Sequence, residues 1–288
     1  MIQSSELIIN PDGSCFHLHL RPEQVADKIV MCGDPSRVDM IASFFDSREC
    51  EVSAREFHTI TGLYHGKRIT ALSHGIGPDN IDIVINELDA LKNINFETRE
   101  LKSEHHALEM VRIGTCGGLQ PYVPYGTYIL SRTSIGFDGV LNWYAGRDSV
   151  SDLDFESALV DAIQYPAKAA RPYVVSADAA LCDRLSAGGG FVDGITISAV
   201  GFYGPQGREL RLPIASPGIN QRITDFEYQG RRITNYEMES APLAGFARLL
   251  GHRATTVCLV AANRVAGDSN ASYKGDMPDL IRSVLERI

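Results

Sequence analysis

The sequence predicts an α/β layer fold, and three observations carry that prediction. Short apolar runs that read as buried strands alternate with amphipathic segments along the 288 residues, the pattern of helices layered on a sheet. Several of those runs break into glycine at their ends, where ligands collect in such sheets. Apolar residues make up 44% of the chain, enough for a sizeable core, and the 22% charged share with Gly 26 and Pro 13 is ordinary for a globular enzyme. The length fits one large α/β domain or two small ones. No internal repeat is present.

Met1–Pro11 is expected to be an arm or a short edge element. Cys15–Leu20 alternates like a strand, which would put His17 and His19 on one face. Two histidines on a face could hold a metal, but no third ligand stands nearby. Lys28–Cys32 is a buried strand running into Gly33-Asp34-Pro35-Ser36-Arg37, with Ser36 opening a helix over Arg37–Phe45. Glu49–Leu63 and Lys67–Ser73 read as two strands joined by a turn at 64–67. Ser73–Pro78 is another glycine-bearing strand end, and it feeds a helix over Asn80–Leu91 with apolar residues at 81, 84, 85, 88 and 91. Gly75 and Gly77 lack a third glycine at the dinucleotide spacing, so a Rossmann site is rejected. Asn93–Met110 is polar and charged, as a surface insertion would be.

Val111–Gln120 is a strand ending in glycines. Tyr125–Ser134 is a strand, Ile135–Tyr144 a loop, Asp152–Gln164 a helix and Tyr173–Ala177 a strand. Ala187–Gly190 is the strongest candidate for a disordered segment. Thr196–Val200 is a strand ending in the loop Gly201–Arg208. Asn235–Leu250 reads as one helix, preceded by Thr234 and stopped by Gly251. Thr255–Ala262 is a buried strand ending at Asn263 and Arg264, and Asp279–Arg287 is the closing helix.

The formal net charge of −9 argues against nucleic acid or anionic membranes as partners. Any phosphate site must be a local basic pocket in an acidic protein. The six cysteines are scattered without a C-x-x-C pair or a metal-like cluster, so reduced thiols in a cytoplasmic protein are expected. The N-terminus lacks a basic region followed by an apolar run, so no secretory signal is expected. No apolar stretch approaches the ~20 residues of a membrane helix.

Val111-Arg112-Ile113-Gly114-Thr115-Cys116-Gly117-Gly118 is the segment richest in chemistry. Arg112 offers a forked donor for an oxyanion, Thr115 a hydroxyl, and the turn N–H groups can cradle phosphate. The plain alternative is a glycine turn with a structural arginine. Gly33 and Arg37 make a second phosphate contact at a helix start, or merely a strand–helix joint. Gln206 and Arg208 could read a base edge, or could be a solvated loop face. Glu237 and Glu239 could be ordinary helix-start carboxylates.

Gly33-Asp34-Pro35-Ser36-Arg37, Arg112–Gly117 and Tyr236-Glu237-Met238-Glu239-Ser240 together resemble the signatures of the nucleoside phosphorylase family, in the family's order and over nearly the whole chain. That family includes uridine phosphorylase and hexameric purine nucleoside phosphorylase. The resemblance implies a single domain, a three-layer α/β/α sandwich with a central mixed sheet. Phe202–Arg208 is similar to the uracil-binding segment of the uridine branch, and Asn263 stands where purine enzymes place an Asp. Both favour a pyrimidine.

By resemblance, phosphate is held by Gly33, Arg37, Arg55, Arg112 and Thr115. His17, Met238 and Glu239 take the ribose, and Phe202, Gln206 and Arg208 take the base. Arg112 and Arg208 are the residues implied to be catalytic. Arg55 and His17 would reach across to a neighbouring subunit, so the resemblance implies a homo-oligomer with sites shared across a dimer. Glu56, Ile76 and Asn80 match positions where some members hold a cation between subunits, with Asn80 in place of the usual serine. His74 replaces a common threonine. Pro242 in the first turns of the Glu-Met-Glu helix is unusual but tolerable near an N-terminus. Asn93–Met110 and Asp183–Ile195 look like longer surface insertions.

The implied reaction converts uridine and inorganic phosphate, a co-substrate, to uracil and ribose 1-phosphate, with no cofactor required. Alternatives are a phosphorylase of a purine nucleoside, thymidine or deoxyuridine, and a non-catalytic nucleoside-binding protein.

Overall fold

A computed structural model describes residues 1–269 and 275–288. Strand β1 (Lys28–Cys32) leads into helix α1 (Pro35–Ala42). The hairpin of β2 (Ser47–Ala54) and β3 (Phe57–Tyr64) continues into β4 (Lys67–Ser73) and helix α2 (Pro78–Asn93). A small hairpin, β5 (Ile94–Asn95) and β6 (Glu100–Leu101), precedes the long β7 (Glu109–Gly118) and β8 (Tyr128–Gly136). Then come α3 (Leu153–Ile163), β9 (Tyr173–Ser176), α4 (Ala179–Ser186) and β10 (Val192–Ser198). Helix α5 (Ile219–Asp225), a second hairpin of β11 (Glu227–Tyr228) and β12 (Arg231–Arg232), and β13 (Asn235–Glu237) follow. The chain closes with α6 (Ser240–Leu249), β14 (Arg253–Asn263), β15 (Asp268–Ser269) and α7 (Met277–Arg287).

The main sheet is mixed, in the order β15-β14-β8-β10-β13-β7-β1-β4-β3-β2, with β9 added at β8. β14 also pairs β7 in parallel, from Arg253 opposite Glu109 to Asn263 opposite Gly118. That second pairing closes β7, β14, β8, β10 and β13 into a ring. Helices cover both faces, as a three-layer α/β/α fold requires. The continuous apolar run of β1 follows from this: Ile29 and Met31 pack with α2 and α6, whereas Val30 and Cys32 pack with α1, α4 and α7. Successive strand residues point to opposite faces, so a strand covered on both sides must be apolar throughout. Burying each such side chain contributes about 1.5–3 kcal/mol. The same alternation turns Met110 and Arg112 of β7 toward the α2/α6 face, and Val111 and Ile113 away from it.

Several sequence expectations need correcting. Cys15–Leu20 is a turn, held by Cys15 N–H to Leu20 O at 2.9 Å and His19 N–H to Cys15 O at 3.1 Å. His17 and His19 therefore share no strand face. Glu49–Leu63 is two antiparallel strands, folded back at Arg55, whose φ is 55°. The turn carries neither glycine nor proline, so nothing local announces it. The first helix starts at Pro35, with the Asp34 carboxylate capping it by accepting from Ser36 N–H at 2.9 Å; Ser36 is not the cap.

The segment Asn93–Met110 contains a small hairpin, but Glu109 and Met110 are buried residues of β7. Asp183–Ile195 is divided between the end of α4 and the start of β10. Ala187–Gly190 lies in the turn between them, with Gly188, Gly189 and Gly190 all at positive φ. Asn235–Leu250 is not one helix. Asn235–Glu237 forms a strand between β10 and β7, and the helix starts only at Ser240. Pairing with distant strands overrides the local helical pattern.

Candidate active site

The ends of β1, β4, β7, β10, β13 and β14 surround one cavity of about 930 Å³. Gly33, Arg37, Arg112, Thr115, Phe202, Gln206, Arg208, Met238 and Glu239 all line it, as do Glu56, Ile76 and Asn80. The cavity thus gathers most of the residues singled out by the sequence. Two are elsewhere. Arg55 is exposed at the tip of the β2–β3 hairpin, its guanidinium 5.8 Å from the Phe16 ring. His17 Nδ1 is 2.6 Å from Glu87 Oε1 on α2. Glu87 also accepts from the backbone N–H groups of His17 and Leu18, which pins this turn to the helix.

One end of the cavity is organised by Arg112. It is 5% exposed and stands between two carboxylates. Nη1 donates to Glu237 Oε2 at 2.9 Å, Nη2 donates to Glu239 Oε2, and Nε donates to His74 Nε2 at 3.2 Å. Gly114 is a glycine because the Arg112 side chain lies across it: a Cβ there would sit 2.6 Å from Nη1. Gly33 is required by packing too, since its Cβ would meet the Gly75 carbonyl at 2.9 Å. Arg37, at the start of α1, donates to Ile113 O at 3.2 Å.

Glu237, Glu239 and His74 complete this cluster. Glu237 accepts from the backbone N–H groups of Glu239 at 2.8 Å and Ser240 at 2.9 Å, so it also caps α6. The Ser198 and Ser240 hydroxyls donate to its other oxygen, at 2.6 and 2.7 Å. Burial pulls the Arg112 pKa down, but the adjacent Glu239 and Glu237 charges outweigh it and raise the pKa above its ordinary value. Burial raises that of Glu239, against the pull of Arg112. Glu239 Oε1 also accepts from Gly77 N–H at 2.8 Å.

The other end is built on Gln206, 3% exposed. Its Oε1 accepts from Arg208 Nη1 at 2.6 Å and from Arg264 Nη2 at 2.9 Å. Arg264 also holds the Gln206 carbonyl and lies 4.9 Å over the Tyr236 ring. Arg208 stacks on Phe202 at 3.8 Å. Burial lowers the pKa of both arginines, that of Arg264 to about 10 with help from the Arg208 charge. Each end of the cavity therefore gathers arginines in a chain of net charge −9, with Arg112 balanced by the Glu237 and Glu239 carboxylates. With Oε1 occupied, Gln206 presents its Nε2 donors; accepting from a ligand N–H would require an arginine to turn away.

Asn263 serves the backbone. It is buried, and its Nδ2 donates to the carbonyls of Gln120 and Val123 at 3.0 and 2.9 Å. Its Oδ1 accepts from Val265 and Ala266 N–H, both at 2.9 Å. Its side-chain polar atoms are all spent on backbone, so its bearing on the base is only that no Asp stands there. Sequence reasoning missed Glu237, His74 and Arg264 as site residues. Their partners lie far away in sequence, and no local spacing marks them.

At Glu56, Ile76 and Asn80, the Asn80 Nδ2 donates to the Ile76 carbonyl at 3.3 Å, so a cation bridging subunits would have to displace that contact to reach the carbonyl. Asp89, His105 and His252 also lie close together. His252 Nδ1 accepts from Leu108 N–H, so Nε2 carries the ring proton toward Asp89, 3.1 Å away, and has no lone pair for a metal.

Residues 27–285 match the family model described as the phosphorylase superfamily. The chain belongs to that superfamily. A uridine phosphorylase of Thermococcus kodakarensis is 30% identical over 273 residues, 92% of this chain and 83% of that one. A Trypanosoma brucei nucleoside phosphorylase, described as showing uridine phosphorylase activity, superposes with a TM-score of 0.89 at 27% identity, covering 98% of both chains. A purine nucleoside phosphorylase of Roseobacter denitrificans matches over only 120 residues, at 33% identity, 41% of this chain and 46% of its own. The mixed sheet with helices on both faces is the fold expected of the superfamily. Among the described residues, no helix is long and apolar enough to cross a membrane.

Proposed function

We propose that the protein is a uridine phosphorylase, which converts uridine and phosphate to uracil and ribose 1-phosphate. The observation that carries this reading is one cavity with arginines at each end and the Glu239 carboxylate beside Arg112. Phosphate sits against Arg112, Arg37, Gly33 and Thr115, beneath the anomeric carbon. Glu239 takes the ribose hydroxyls, with Met238 beneath the sugar. The glycosidic bond breaks through an oxocarbenium-like state, and the base leaves as an anion. Gln206, gripped by Arg208 and Arg264, meets the carbonyl oxygens that gain this charge. Holding the two reactants in line contributes about 7–11 kcal/mol by proximity.

The relatives named uridine phosphorylase support a pyrimidine, since their likeness runs nearly the full chain. The sequence likeness to the Roseobacter purine enzyme covers less than half of it. Incubating the protein with uridine or inosine, with and without phosphate, tests the assignment. Uridine should be cleaved only with phosphate, and inosine should be a poor substrate. Inosine turnover equal to that of uridine would overturn the pyrimidine reading. Loss of uridine without phosphate would overturn phosphorolysis, and no turnover at all would favour a binding protein.

Arg55 and His17 stand outside their own chain's cavity, which supports a homo-oligomer whose sites are completed by a neighbour. The smallest active unit is then a two-fold dimer, the commonest closed symmetry. A cytoplasmic role in pyrimidine salvage accords with this chemistry.

A further inference from the structure

We infer that His74 is a positioning residue for Arg112, an inference that rests on the phosphorolysis reading. His74 follows β4, and its backbone N–H donates to Cys32 O at 2.9 Å, which anchors it to the end of β1. Its side chain is wholly buried. Nε2 lies 3.2 Å from Arg112 Nε, and an arginine Nε–H can only donate. Nε2 is therefore the acceptor, and the proton of the neutral ring sits on Nδ1. Burial, and then the Arg112 charge, holds the His74 pKa well below the usual histidine value, so the ring keeps its acceptor at neutral pH.

The orientation carries a cost. Nδ1 makes no hydrogen bond of sound geometry among the described residues. A buried donor with no better partner than the poorly aligned Gly75 backbone costs stability, and such groups call for a functional explanation. The contacts of Arg112 supply one. Nε is held by His74, Nη1 by Glu237 and Nη2 by Glu239. Glu239 lines the cavity and turns to the ribose in the proposed reaction, releasing Nη2. His74 and Glu237 then remain as the fixed points of the guanidinium plane. They keep two of its nitrogens in place and leave the third aimed at phosphate. Without the His74 acceptor, the plane is held only through Nη1, at Glu237 and weakly at the Cys258 sulfur, and can swing about that point.

Three substitutions separate this role from simple packing. In His74→Gln the amide reaches the position of Nε2, so its oxygen can accept from Arg112. In His74→Asn the amide stops near the position of Nδ1. His74→Met keeps most of the bulk and offers Arg112 no good acceptor. Phosphate KM should rise about ten- to a hundredfold in the Asn and Met variants, as for a lost hydrogen bond to a charged group. In the Gln variant it should stay within about threefold of wild type, and KM for uridine should barely move in any of them.

Calorimetric titration of each folded variant with inorganic phosphate should give the same order. That measurement does not depend on turnover. If the wild type binds phosphate in this order across the variants but cleaves no nucleoside, the functional proposal fails and the role of His74 stands. A folded Met or Asn variant with wild-type phosphate affinity, or a Gln variant no better than Met, would overturn the inference.

Discussion

Arg112→Lys should lower phosphate-dependent cleavage of uridine by about a hundredfold or more while the protein stays folded, the usual effect of losing one oxyanion donor. Lysine keeps a positive charge between Glu237 and Glu239. It cannot donate to both carboxylates, to His74 and to phosphate from a single planar fork. The loss should fall on kcat/KM for phosphate, and the melting temperature should change little by comparison. Arg112→Ala is expected to behave differently. It leaves two buried carboxylates facing each other without a counter-ion, which typically costs about 3–5 kcal/mol of stability. The alanine variant should therefore lose activity and melt well below wild type. A lysine variant with wild-type rate at low phosphate would show that Arg112 only ties β7 to β13 and α6.

Mixing two inactive chains should restore activity. Arg55 stands outside its own cavity while Arg112 lines it, so the two arginines serving one site come from different chains if sites are shared. An Arg55→Ala chain and an Arg112→Lys chain are each expected to be nearly inactive. In a mixed dimer one site carries both defects and the other carries neither. Random pairing makes about half the dimers mixed, so activity should recover to roughly a quarter of wild type. No recovery, despite demonstrated subunit exchange, would mean that Arg55 serves its own chain or no site. His17→Ala paired with Arg112→Lys should follow the same rule, because His17 sits on the Phe16 turn beside Arg55.

Much of the cavity is legible in the amino-acid sequence. Gly33–Arg37 follows the end of β1, and Val111–Thr115 is the part of β7 that leads into its closing glycines. Such ends are local features of the chain, readable from hydrophobic runs and turn residues. The segment Phe202–Arg208 is marked by its resemblance to a base-binding loop, and it does line the other end. The backbone role of Asn263 was not legible: it closes β14, and its amide satisfies backbone groups in the neighbouring turns.

By itself the sequence determined the alternation of strands and helices, the two-sided burial of β1 and the glycine breaks that close its apolar runs. Each of these follows from interactions within a few residues, or from apolar patterning that any fold of this class must satisfy. Only the tertiary structure decided that Asn235–Glu237 is a strand, that the sheet closes on itself through β7 and β14, and which groups hold Arg112 and Gln206. Those outcomes depend on hydrogen bonds and charges between segments far apart in the chain. Their strength comes from burial, and burial exists only once the sheet and its helices have assembled.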